Sequence, residues 1–159
     1  MRHRSTREEN PQMAPIIDSI EINRSPEVVF AYVDDLGKHS EWQEQIVSVH
    51  VETEGPTHVG TRATDKRQLP GGPRDITYEI TAHDPPHTSS FRGVNGPIRP
   101  AGTITVEPLD GGTRSKITLE LDLKGRGLGL LFAPLARKSA RKDIPKSHQR
   151  LKEILERER

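Results

Sequence analysis

The stretch from Gly125 to Arg159 limits the possible folds more than any other part of this 159-residue chain. It opens with GRGLGLLFAPLARK and closes with SHQRLKEILERER. Leu128, Leu131, Phe132 and Leu135 recur at i, i+3, i+4 and i+7, and Ile144, His148, Leu151 and Leu155 repeat the stripe further on. The opposite face is crowded with Arg, Lys and Glu, so the segment reads as a long amphipathic helix that needs an apolar surface to cover. Extending the first stripe from Leu128 leads to Ser139 and Asp143, one position out of phase with Ile144 and His148. Pro145 lies at the mismatch. It lacks the N–H that would bond Arg141 and disfavours helical angles at Ile144, so a kink is expected there, with Pro134 bending or restarting the first turns.

The preceding residues supply the surface. Ile16 to Arg24 (IIDSIEINR) places Ile16, Ile20 and Ile22 on one side of a first strand. Ser25-Pro26-Glu27 follows as a helix start, with Ser at the N-cap, Pro at the first helical position and an acid where the dipole favours it. Asp34-Asp35-Leu36-Gly37 ends that helix, and a second short one is expected over Lys38 to Gln43, including Trp42. From Gln45 the period changes to two. Val47, Val49 and Val51 alternate with polar residues; a weaker, more polar strand runs from Val59 to Leu69; and Ile76, Tyr78, Ile80 and Ala82 share a face opposite Thr77, Glu79, Thr81 and His83. His87 to Val94 and Gly102 to Leu109 come next, the latter leading into the hairpin signal Asp110-Gly111-Gly112. Thr113 to Lys124 alternates most cleanly, with Ile117, Leu119, Leu121 and Leu123 on one face. One strand, two short helices, six strands with hairpin-length connections and one long helix make an α+β arrangement: an antiparallel sheet wet on one side and covered on the other.

Composition removes several classes of function. Charged residues are 30% and the net charge is only +1, so no overall field attracts nucleic acid. The absence of cysteine excludes disulfides, thiolate catalysis and thiolate metal sites, and fits a cytoplasmic location. No apolar run approaches the ~20 residues that span a bilayer. Residues 1–15 carry basic charge without an apolar core; they are expected to form a flexible tail rather than a secretory signal, with Met13 a possible true start.

The order β-αα-β6-α, with SPEVVFAYVDDLGKHSEWQEQIVSV after the first strand, TAHDPPHTSSFR across a hairpin, GTITVEPLDGGTRSKITLEL, and a terminal helix ending in QRLKEILE, resembles the SRPBCC superfamily of START-type lipid-transfer, pollen-allergen-like and polyketide cyclase/dehydrase proteins. The resemblance spans Ile16 to Glu156. It implies a helix-grip fold over residues 16–159: a curved seven-stranded antiparallel sheet wrapped round the C-terminal helix, with a cavity for a hydrophobic ligand between them. Small residues on the sheet, Gly93, Ala63 and Gly102, either open that cavity or let the helix approach closely. The helix then reads as a jointed lid. Leu151 to Leu155 closes the core, and Leu128 to Leu135 marks where the pocket opens.

Five residues are candidates for contact with a ligand. Trp42 either walls the pocket mouth or anchors the short helices to the sheet. Tyr78, inward among isoleucines, is the best candidate to orient a ligand's polar group, the alternative being a tyrosine bonded to backbone. Phe91, Leu128 and Phe132 are expected lining residues. The seven histidines show no HxH or HExxH spacing, so no metal is expected, and neither LPGGPRD nor KGRGLGLLF follows a phosphate-binding or dinucleotide pattern, so no cofactor is expected either. No nucleophile motif is present, and Asp65, Arg67 and His50 read as a solvated outer face. The basic run Arg137 to Lys142 also reads as a solvated helix face, with an anionic lipid surface or nucleic acid phosphate as its other possible partner. The expected function is binding of a hydrophobic or aromatic small molecule. The alternatives are a cyclase/dehydratase acting in the same cavity and a protein-interaction module of chaperone-activator type, which would need an apolar patch on the outer sheet face.

Overall fold

The structure, a computed structural model, describes residues 14–157. All but the last two residues of the expected N-terminal tail lie outside that range. The elements follow the expected order: β1 (Ile16–Ile22), α1 (Pro26–Asp34), a 3-10 turn (Leu36–Lys38), α2 (His39–Trp42), β2 (Ile46–Val51), β3 (Arg62–Leu69), β4 (Gly72–Asp84), β5 (Thr88–Gly93), β6 (Ile98–Leu109), β7 (Arg114–Gly125) and α3 (Gly129–Arg157). The strands form one antiparallel sheet in the order β1-β7-β6-β5-β4-β3-β2, curled into a half-barrel round α3 as in the helix-grip fold. Pro26 starts α1 as its composition predicts. Ser25 occupies the N-cap position, but its hydroxyl makes no capping bond, so proline and the backbone set that start.

Two bulges decide which side chains face inward. In β2 the register slips between Ile46 and Ser48, so Ile46 is buried while Val47 points to solvent; of the expected Val47/Val49/Val51 face, Val49 and Val51 keep the inward face of their partners Asp65 and Ala63, and only Val47 leaves it. In β4 the slip between Ile80 and Ala82 reverses the later residues. Ala82 is exposed, and His83, expected outside, donates from Nε2 to the Asp34 carboxylate at 2.9 Å.

One core cluster joins Ile22 on β1, Val29 and Val33 on α1, Trp42, Val106, Ile117 and the helix residues Leu151 and Leu155. This is the grip expected at the C-terminal end of α3. The helix itself runs through Pro134 and Pro145 as one element. Its buried positions Gly129, Ala133, Ala136, Ser147, His148, Leu151 and Leu155 keep one helical phase throughout. The phase slip at Pro145 arose from taking the wrong face of the first turns as the inner one. At the β7–α3 corner a Cβ on Gly129 would meet the Pro97 carbonyl oxygen at 2.0 Å, so this helix entry requires glycine. No helix among the described residues is long and apolar enough to cross a membrane.

Candidate functional site

Between the concave face of the sheet and α3 lies a cavity of about 180 Å³. Its helix wall is made of Ala136, Ser139, Ala140, Asp143, Ile144 and Ser147, spaced along one face of α3. Mostly small side chains there leave room that leucines would fill. The sheet glycines do not supply it. A Cβ on Gly102 would meet the Phe91 ring at 2.8 Å, and one on Gly93 would meet Pro100 Cδ at 2.7 Å, so neighbouring rings already occupy both spaces. Ile98, Leu121, Leu123, Ala136 and Ala140 make one end of the cavity apolar.

The other end is polar, built by β3, β4 and α2. The β3–β4 register places Ala63 opposite Tyr78 and Asp65 opposite Ile76, and paired residues share a face, so the inward turn of Tyr78 carries Asp65 inward with it. Asp65 is 2% exposed. Arg67, two residues on, donates from Nη2 to Asp65 Oδ2 at 3.3 Å and to Gln43 Oε1 at 2.7 Å. Burial raises the Asp65 carboxyl above the ordinary aspartate range, against the pull of Arg67 and of His39. Burial and the Asp65 charge likewise push the Tyr78 phenol up, so it remains an O–H donor at every ordinary pH. Three buried polar atoms here make no well-formed hydrogen bond within the protein: Trp42 Nε1, Asp65 Oδ1 and Tyr78 Oη, although the Tyr78 hydroxyl and the Asp65 carboxyl lie close enough to act on each other. Such atoms cost about 1–3 kcal/mol each if left dry, which makes a cluster of them inside a cavity a place for water or for a ligand's polar group.

The structure therefore brings Trp42, Tyr78 and Phe91 together on the cavity wall, the Tyr78 and Phe91 rings edge to face at 5.9 Å. It does not bring Leu128 and Phe132 there: they are 75% and 49% exposed on the outside of α3. The reason is steric. At this end the helix approaches Pro97 and the sheet too closely for anything but Gly129, Ala133 and Ala136 to face inward. Asp65 and Arg67, expected on a solvated outer face, line the cavity, whereas His50 is exposed as expected. Gln43, His39 and His148 also line it. The tight Pro70-Gly71 hairpin held the signal for Asp65, because with Leu69 opposite Gly72 the parity of Tyr78 fixes that of β3. Arg137 also departs from its expected solvated face. It is 5% exposed, donating to Asp122 Oδ1 at 2.9 Å and to the Leu123 carbonyl at 2.7 Å.

Two histidines brace this end. His39 Nε2–H donates to the Val33 carbonyl at 2.7 Å and its ring meets Trp42 edge-on, while His148 Nδ1–H donates to Asp18 at 2.6 Å and its ring stacks on Trp42 from the other helix. No group of three or more His, Asp and Glu among the described residues is placed to hold a metal ion. Burial lowers the pKa of both histidines, with the backbone bond opposing it at His39 and Asp18 at His148. The folded state then binds protons less readily than the unfolded chain, so stability is fully present above about pH 6.5 and declines as pH falls through the lowered values. Urea unfolding above and below that pH should show the decline, and His148→Gln should flatten it; an unchanged slope would mean His148 titrates alike in both states.

A family model described as "Polyketide cyclase / dehydrase and lipid transport" matches residues 13–156. An uncharacterized protein of Mycobacterium tuberculosis is 29% identical over 148 residues, covering 89% of this chain and 99% of that protein. Among solved structures, a START superfamily protein from Mycobacterium smegmatis superposes with a TM-score of 0.74 at 13% identity, covering 92% of this chain and 99% of the other. The Zhui aromatase/cyclase from Streptomyces sp. R1128 gives 0.63 at 15% identity, with 89% and 87% covered. At these identities the two structures show a shared fold.

Proposed function

The chain belongs to the polyketide cyclase / dehydrase and lipid transport family, and from that premise we propose that it binds an amphipathic small molecule in the cavity beneath α3. The apolar body of the ligand lies among Ile98, Leu121, Leu123 and Ala140, and its polar group reaches the other end, between Tyr78, Asp65 and Trp42. The observation that carries this reading is the set of three buried polar atoms without a well-formed hydrogen bond on the wall of a cavity whose other end is apolar. A cavity of about 180 Å³ is close to one of roughly 150 Å³ that holds a single benzene ring, so the first ligands to fit are one ring or a short acyl chain in size. Burying ~150 Å² of apolar ligand surface yields about 4 kcal/mol, and each completed hydrogen bond about 1 kcal/mol. Apolar burial thus sets the affinity and the polar end sets orientation and choice.

A panel of monocyclic phenols, aromatic acids and short fatty acids, each tested by thermal melting, checks the proposal. At a hundredfold excess over Kd a true ligand stabilises by about 2.7 kcal/mol, or roughly 5–10 °C for a domain of this size. If no member of the panel moves the melting point, the binding reading fails.

One observation favours a second reading. Asp65, held protonated more readily by burial and set beside the Tyr78 hydroxyl, is placed to donate a proton to a ligand carbonyl, which is what a cyclase or dehydratase acting in this cavity requires. Asp65→Asn separates the readings: it keeps the shape and a polar head, so a binder retains affinity, whereas an enzyme loses turnover.

A further inference from the structure

We propose that the N-terminal end of α3 is a docking surface for an anionic phospholipid bilayer. Leu128, Leu130, Leu131, Phe132 and Leu135 are all exposed, from 49% to 75%, on consecutive turns of one short segment. None of them joins a core cluster, and the close approach of Gly129 to Pro97 keeps them outside. Five large apolar side chains displayed together form a patch of the kind that marks an interaction surface.

The charge around the patch selects the partner. In a chain of net charge +1, every charged residue from Lys124 to Lys142 is a cation. Leu131, Leu135, Lys138 and Lys142 recur at i, i+4, i+7 and i+11, so exposed lysines continue the apolar face directly. On the sheet side Lys124, Arg126 and Arg99 line a groove together with Arg62, Arg92 and one acid, Glu79, and Arg126 stands three residues before α3 begins. Apolar residues ringed by cations match the boundary between acyl chains and anionic headgroups, where leucine and phenylalanine enter the lipid and lysine stems reach back to phosphate. A second copy of the chain fits worse, because apposing two such patches brings like charges together. Leu123 and Ala136 bracket the segment and belong to the apolar end of the cavity, so docking would turn that end toward the bilayer. Docking itself does not require the cavity reading to hold.

Flotation of the full chain with vesicles of phosphatidylcholine alone, and of phosphatidylcholine with phosphatidylserine, tests the proposal. The expected result is recovery with the anionic vesicles, at least about tenfold weaker association with the neutral ones, and weakening by added salt. Leu131→Asp with Phe132→Asp should reduce association at least about tenfold, and Lys138→Glu with Lys142→Glu should do the same with the apolar patch intact. All four positions are exposed, so both variants should keep the wild-type melting point. If the aspartate pair melts lower, Leu131→Ser with Phe132→Ser carries the apolar arm. Absence of binding to either vesicle, or equal binding to both, overturns the proposal. So does light scattering that shows a wild-type dimer converted to a monomer by the apolar variant, which would make the patch a self-association face.

Discussion

Replacing Leu151 with alanine is expected to lower the free energy of unfolding by about 3 kcal/mol, within the range of roughly 2–5 kcal/mol for leucine truncation in a packed core. Leu151 is 0% exposed and sits where α3 meets α1 and the sheet, in the cluster of Ile22, Val29, Trp42, Val106 and Ile117. Leu155 is the only other leucine among the buried positions of the helix, which apart from Arg137 and His148 are otherwise alanine, serine and glycine. Losing Leu151 therefore removes a large share of what fixes the helix in the sheet, and the melting point should fall by roughly 6–12 °C. Leu131→Ala, at a residue equally apolar in sequence but 74% exposed, should change stability by less than about 0.5 kcal/mol. Comparable losses at both positions would mean that the helix packs through its outer stripe instead. Denaturant midpoints of the two variants beside the wild type decide the matter.

That contrast also locates the limit of what could be read from the chain. The strands, the start of α1 at Pro26 and the gripping role of Leu151 and Leu155 were legible because burial there recruits large apolar residues with a clear period. The first turns of α3 invert the rule. A helix face that must approach Pro97 and then roof a cavity has to be small, and glycine, alanine and serine carry no hydrophobic signature. The conspicuous Leu128–Phe132 stripe therefore pointed away from the protein, and the phase mismatch at Pro145 was the trace of that inversion rather than of a broken helix. On the sheet, parity failed where chain length was added. The bulges at Ile46/Ser48 and Ile80/Ala82 turned Val47 out and His83 in, and a single extra residue leaves no compositional mark. Asp65 was hidden differently, by its own chemistry. A carboxylate on a polar strand reads as solvent-facing, yet it shares the face of Ala63 and stands two residues from Arg67, and only the hairpin register shows which way that face looks.

Asp65→Leu is expected to raise the unfolding free energy by about 1–2 kcal/mol while weakening ligand binding about tenfold. A buried carboxyl with one oxygen lacking a well-formed hydrogen bond costs stability that a leucine of similar volume does not, as with other buried polar groups replaced by apolar ones of like shape. Arg67 loses the longer of its two contacts but keeps the 2.7 Å bond to Gln43 and its access to solvent, so the gain is only partly offset. A residue retained at a cost to stability, inside a cavity and away from the core cluster, is the pattern of a site kept for its ligand. The wild type should also gain stability relative to the leucine variant as the pH falls. The raised carboxyl pKa makes the folded state the better proton binder above the unfolded value near pH 3.9, so that advantage fades as pH rises through the folded value.

The fluorescence of Trp42, the only tryptophan in the chain and part of the cavity wall, gives the most direct measurement of whether the cavity holds a ligand by its polar end. Matched pairs of small aromatic ligands, each with and without one hydroxyl or carboxyl group, should be titrated against the wild type and against Tyr78→Phe combined with Asp65→Leu. The polar member of each pair should bind the wild type about tenfold more tightly, the worth of one or two hydrogen bonds, and the preference should vanish in the double variant while the apolar member binds both proteins alike. Equal affinity for both members in the wild type, or a preference that survives the double substitution, would contradict the assignment of this end of the cavity as the place where a ligand is recognised.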